Sequence, residues 1–148
     1  MATYATTDEI KAEFKSLDTT SSGAKVTDLK IDDWRGQAYA YINGRIGNKY
    51  DTPVDSGTDA FTILKQVEIW LVKHRIQQII PVRTGAEGAK QGDLAQDLEK
   101  KAESVLDQIA QGKLKMAGAD LLSSADGVAS FNVSEGTEHT VKKDEDQW

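Results

Sequence analysis

Apolar residues recur at helical spacing in four stretches of this chain and at strand spacing only near its end. In the last helical stretch, Leu98, Ala102, Val105, Leu106 and Ile109 form one stripe, which predicts an amphipathic helix from about Asp93 to Gln111. Gly112 follows where a left-handed cap would stand, and Lys113 and Lys115 lie near the negative end of the helix dipole. The first helix is predicted over about residues 8–17. Ile10, Phe14 and Leu17 share its apolar face, and Thr6 with Glu9 has the spacing of a capping box. Asp18 to Lys25 is a polar loop. A second helix, about residues 28–46, buries Ile31, Trp34, Ala38, Tyr41 and Ile42. Gly44 and Gly47 fall in its last turns, where each costs about 1 kcal/mol relative to alanine or lets another backbone come close. After a loop with Pro53 and Gly57, a third helix is predicted over about residues 59–79. Phe61, Leu64, Val67, Leu71 and Ile76 form its core face, with Trp70 beside them. Pro81 stops it, because proline lacks an amide and disfavours helix at the preceding residue. Arg83 to Gly92 is a loop with three glycines.

From residue 117 onward the chain becomes polar, small and acidic. Phe131, Val133 and Val141 alternate with polar neighbours, and Glu135-Gly136 could turn a small β-hairpin between them. A two-stranded hairpin is marginal alone, so this segment reads as an extended arm that orders on a partner. Trp148 follows an acidic run and has no stripe of its own to join. It is either idle in solvent or an anchor in a partner's pocket, the usual place of tryptophan at an interface. The predicted fold class is mainly α: a small four-helix bundle over residues 1–116 with an extended C-terminal segment over residues 117–148.

Composition narrows the function classes. A chain of 148 residues is normally one domain, and 39% hydrophobic content is enough for a modest core. The net charge of −6 is unevenly placed. Residues 30–84 hold eight Lys/Arg and six Asp/Glu, a net of +2, and the remainder carries a net of −8. A duplex-DNA binder would show a stronger basic face. There is no cysteine, which excludes a disulfide framework, a thiol nucleophile and a cysteine zinc site. The opening residues lack the basic and apolar runs of a secretory leader. No apolar stretch approaches the roughly 20 residues of a membrane span.

Candidate chemistry is sparse. His74 and His139 are the only histidines, and neither has metal-ligand spacing. The run from Gly85 to Gly92 lacks the Gly-Lys-Ser/Thr ending that cradles phosphates. Asp32-Asp33 and Asp144-Glu145-Asp146 lack the apolar context that would shift a carboxyl for acid–base work. Neither an enzyme nor a cofactor is expected. Arg45 and Lys49 are four apart and share a helix face, and Arg83 lies in the glycine-bearing loop. These basic residues are solvated surface, ion pairs between subunits, or mild contacts to passing DNA phosphates.

Three segments together resemble the phage head–tail adaptor (head-completion, or connector) family, in its branch found in Mu-like prophages. Tyr4-Ala5-Thr6-Thr7-Asp8-Glu9-Ile10 resembles the family's opening before its first helix. Ala38 to Tyr50, with Asn43-Gly44-Arg45 and then Pro53, is similar to its second-helix ending, although Ile46 to Lys49 separate Gly44-Arg45 from Tyr50. Leu106 to Lys113 is similar to its helix ending in Ala-x-Gly-Lys. The likeness covers residues 4–116. It implies a structural virion protein of the neck, made in the bacterial host cytoplasm, with no membrane partner. Roughly twelve copies would form a cyclic ring beneath the portal protein. The ring would extend the channel for double-stranded DNA without sequence-specific binding and would offer a platform to the next neck or tail protein. On this reading Phe131, Val133, Val141 and Trp148 contact the portal or a neighbouring subunit, and Arg45, Lys49 and Arg83 face the lumen or another subunit. The alternatives are another neck or tail-completion protein, or a small DNA-binding or regulatory helical protein. The latter would read a groove with Lys73, His74, Arg75, Gln77 and Gln78 of the third helix.

Overall fold

The computed structural model describes residues 2–14, 16–80 and 91–122, and over them the chain is four helices packed together. These are α1 (Thr7–Ala12), α2 (Asp28–Ile46), α3 (Asp59–Ile79) and α4 (Gln91–Ala110). The fold is mainly α. Among the described residues there is no strand, only an isolated antiparallel bridge between Tyr50 and Leu121. No helix there is long and apolar enough to cross a membrane.

Threonine starts each of the first three helices. Thr6, Thr27 and Thr58 have extended backbone, and their side chains accept the amides of Glu9, Lys30 and Phe61. Each such cap contributes about 1 kcal/mol. The expected capping box is complete, since the Glu9 carboxylate also accepts the Thr6 amide at 2.7 Å.

The first helix is shorter than its apolar spacing predicts. It stops at Ala12 instead of Leu17, tightening into three-residue bonds from the Glu13 amide to Ile10 O and from the Phe14 amide to Lys11 O. Phe14 and Leu17 still reach the core, but from the turn that follows. A turn can present apolar side chains at the same spacing as a helix, and here Asp18 accepts the amides of Thr20 and Ser21, which favours the turn.

The interior is split into two clusters. The first joins the C-terminal half of α2 (Ile42, Ile46), the N-terminal half of α3 (Leu64, Val67) and α4 (Ala102, Leu106, Ile109), with Tyr4, Tyr50, Val54 and Met116. The second joins Ala5 and Ile10 to Val26, Ile31 and Ala38 and to the far half of α3 (Ile69, Val72, Ile76). The α4 stripe is buried as expected at Ala102, Leu106 and Ile109, with Val105 partly covered. Tyr41 departs from expectation. It is 41% exposed and turns its hydroxyl to Glu103. Trp34, Phe61 and Trp70 sit half-buried at the cluster edges. Gly44 faces open space, so it admits no neighbouring backbone.

Gly112 adopts φ +74°, and the Lys113 amide bonds back to Gln108 O at 2.8 Å, closing α4. The chain then returns to the bundle. Met116 is buried, the Ala60 amide in the first turn of α3 donates to Ala117 O, and Gly118 (φ +81°) lies against Thr58. The Asp51 amide donates to Asp120 O and the Leu122 amide to Lys49 O, each at 2.9 Å. Residues 117–122, read from sequence as the start of the arm, are therefore fastened to the ends of α2 and α3. Leu121 and Leu122 remain exposed.

Two glycine substitutions should act in opposite directions. Gly112→Ala forces a side chain into left-handed backbone and into the space held by Lys49 Nζ, so it should destabilise by about 1–2 kcal/mol. Gly44→Ala adds a methyl group to an open helix position and should stabilise by about 0.5–1 kcal/mol. Urea unfolding of both variants beside the parent measures each shift.

Candidate functional site

The three segments that carry the family resemblance meet in space. Tyr4 inserts into the first cluster, its ring centroid 5.0 Å from Tyr39 and 5.3 Å from Phe61. Its hydroxyl donates to Asn43 Oδ1 and accepts the Val54 amide at 3.5 Å. Burial pushes the phenol up to about 12, so it stays a donor. Arg45, two residues beyond Asn43, pairs with Asp107 and lies 3.6 Å from Glu103, both on α4. Lys49 places its ammonium beside Gly112, at the negative end of α4. Arg45 thus serves a contact within the chain, and Lys49 lies beyond the end of α2, so the two do not share a helix face. Arg83, Phe131, Val133, Val141 and Trp148 lie outside the described residues.

A polar clamp holds the N-terminal segment. Glu68 on α3 is fully buried, and its Oε2 accepts the Tyr4 amide at 2.8 Å. Its Oε1 lies 3.8 Å from Arg35 Nε and has no hydrogen-bond partner among the described residues. Arg35 reaches over from α2, donating from Nε to Ala5 O at 2.9 Å and from Nη1 to Thr7 Oγ1 at 2.7 Å and Asp32 Oδ1 at 2.6 Å. Its Nη2 donates to Thr3 Oγ1 and to Ala5 O. Burial drives the Glu68 carboxyl up to about 7, against the opposing pull of the Tyr4 and Ala5 amides and the Arg35 charge. The Arg35 side chain is only 14% exposed. Glu68 has a visible signal that the periodicity alone passes over: it is the one acid in the apolar run Val67 to Val72.

A groove of about 330 Å³ runs between α2, α3 and α4, floored by Ala38 and Leu71 and rimmed by Tyr41, Arg75, Glu99 and Glu103. His74 is buried in its wall. A carbonyl can only accept, so Nδ1–H donates to Ala95 O at 2.7 Å. Nε2 is left to accept the Gln78 amide at 2.8 Å, with Glu99 at 3.7 Å. Arg75 donates to Gln37, and Lys73 pairs with Glu13. Of the α3 row that could read a DNA groove, Lys73, His74, Arg75 and Gln78 are therefore engaged within the bundle, while the buried Gln77 Oε1 has no partner among the described residues. Among the described residues, no group of three or more His, Asp or Glu is placed to hold a metal ion.

No family model matches the chain, and neither a curated protein nor a solved structure was found to be similar to it.

The two contacts linking the motif segments should differ in weight. Tyr4→Phe removes a donor from Asn43 and leaves the buried Val54 amide unpaired, so it should cost about 1–3 kcal/mol. Arg45→Ala breaks a partly exposed pair and should cost no more than about 1 kcal/mol, falling further at high salt. Denaturant midpoints at low and high salt separate the two.

Proposed function

We propose that this chain is a structural protein of a tailed-phage virion, a head–tail adaptor. Its copies form a ring under the portal protein, extend the DNA channel and join the head to the next neck or tail component. The observation that supports this reading most is the convergence of the three resembling segments. Tyr4 packs on Tyr39 and bonds to Asn43, Arg45 pairs with Asp107, and Lys49 lies beside Gly112. Residues scattered through the sequence thus make one unit, as expected if the resemblance reflects a shared fold.

A role in assembly also suits the groups that face solvent. The exposed Leu121 and Leu122 follow a segment fastened to the bundle. They would lead the remainder of the arm, with Phe131, Val133, Val141 and Trp148, toward the portal or a neighbouring subunit. Arg83 remains a proposed contact of the lumen or of a second subunit. The basic groups of α3 have acidic or amide partners on the same chain, which suits a surface that DNA slides past.

The test is the native mass of the chain produced together with the portal protein of the same genome. A stoichiometric ring complex is expected. It should be lost on removing residues 123–148 while helix content is kept, because the fastened residues 117–122 are retained. Failure to join an assembled portal would refute the adaptor reading, and an intact complex after truncation would refute the role of the arm.

A further inference from the structure

We propose that the N-terminal segment Ala2–Ala12 is a proton-controlled strap, held most tightly across α2 and α3 while the Glu68 carboxyl is neutral and loosened when that carboxyl is ionised beside Arg35. The inference is independent of the adaptor reading.

The geometry carries it. The described strap buries only Tyr4, Ala5 and Ile10, which reach into two different clusters. Between them its backbone is gripped by two side chains, Glu68 on the Tyr4 amide and Arg35 on Ala5 O. Its outer ion pairs, Glu9 with Lys65 and Lys11 with Asp28, are partly exposed and weak. A negative charge on Glu68 would be fully buried, with one oxygen lacking a donor. Arg35 stands 3.8 Å away and is already committed to Ala5, Thr3, Thr7 and Asp32. Lifting the strap would return water to Glu68 and release Arg35 to close on it, so the ionised carboxylate favours the lifted state.

The neighbouring charges fix the sign. Arg35, itself paired with Asp32, faces Glu68 from α2, Tyr4 and Glu9 act from the strap, and Lys65 acts from α3 through Glu9. Glu9 is held below the usual carboxylate range by the Thr6 amide and by Lys65, and Asp32 by the Thr7 hydroxyl and Arg35. Both stay ionised where Glu68 titrates. With the strap docked, Glu68 titrates at about 7 against an ordinary 4.5. Its raised value makes docking strongest below 4.5, weaker as pH climbs from 4.5 to 7, and constant above that. Each unit between the docked and lifted values is a tenfold change in the docking equilibrium.

Hydrogen exchange on the full chain, corrected for the chemical rate at each pH, reads this directly. Between pH 5 and pH 8, protection of the peptide spanning Tyr4 and Ala5 should fall by at least about tenfold, while peptides of α3 and α4 keep theirs. In Glu68→Gln, neutral at every pH, strap protection should be flat. Strap protection that is independent of pH in the parent, or that falls equally in Glu68→Gln, would overturn the proposal. Should that variant not fold, carbon NMR of the parent decides. A Glu68 midpoint above 4.5 at which the Tyr4 and Ala5 amides also lose exchange protection supports the strap, and a midpoint at or below 4.5, or strap protection that does not follow the midpoint, rejects it.

Discussion

Glu68 stands on α3 between Val67, which belongs to one apolar cluster, and Ile69, which belongs to the other. The strap crosses the same seam, with Tyr4 in the first cluster and Ala5 in the second. One buried carboxylate and the Arg35 guanidinium therefore fix how the N-terminal segment lies on the bundle and how the two halves of the interior meet. Burying such a carboxyl is a poor source of net stability, because its desolvation offsets most of what its hydrogen bond to the Tyr4 amide contributes. Its effect is on specificity. Tyr4 could be accommodated by apolar contact alone in many orientations, but the Tyr4 amide and Ala5 carbonyl can meet Glu68 and Arg35 in only one register.

The helices were legible because each has a strong local cause. The Thr6 capping box, the α4 stripe and Gly112 are local signals, and tertiary packing agrees with them. The misreadings share another origin. Phe14 and Leu17 have helical spacing, and both are packed inward, yet the helix ends at Ala12. Spacing reports which side chains turn inward, and a turn meets that need as well as a helix. Tyr41 falls on the α2 stripe but lies where the groove opens beside Glu103, so its amphipathic ring can keep its hydroxyl in water. The clamp was harder to foresee. Arg35 and Glu68 are 33 residues apart, on helices that cross only in the folded chain, and each alone looks like an ordinary charged residue.

The same division applies to the basic residues near the end of α2. Arg45 pairs with Asp107 on α4 of its own chain, and the Lys49 ammonium lies beside Gly112, just past the end of α4. A pattern held in place by internal packing and one held in place by a partner look alike in a single sequence. Geometry separates them only where both groups of the pair are seen, as with Arg45 and Asp107. What the fold presents outward instead is the run Leu121-Leu122, apolar, exposed and attached at one side to the backbone of residues 49–51.

That attachment has a mechanical consequence. A tension applied to the chain beyond residue 122 does not reach the helices directly. It is met first by the bond from Leu122 to Lys49 and then by the one from Asp51 to Asp120. Only after these does it meet the contact of Gly118 with Thr58 and the buried Met116. The last described residues are thus placed as a strain relief, since their two hydrogen bonds can open before the apolar clusters are disturbed.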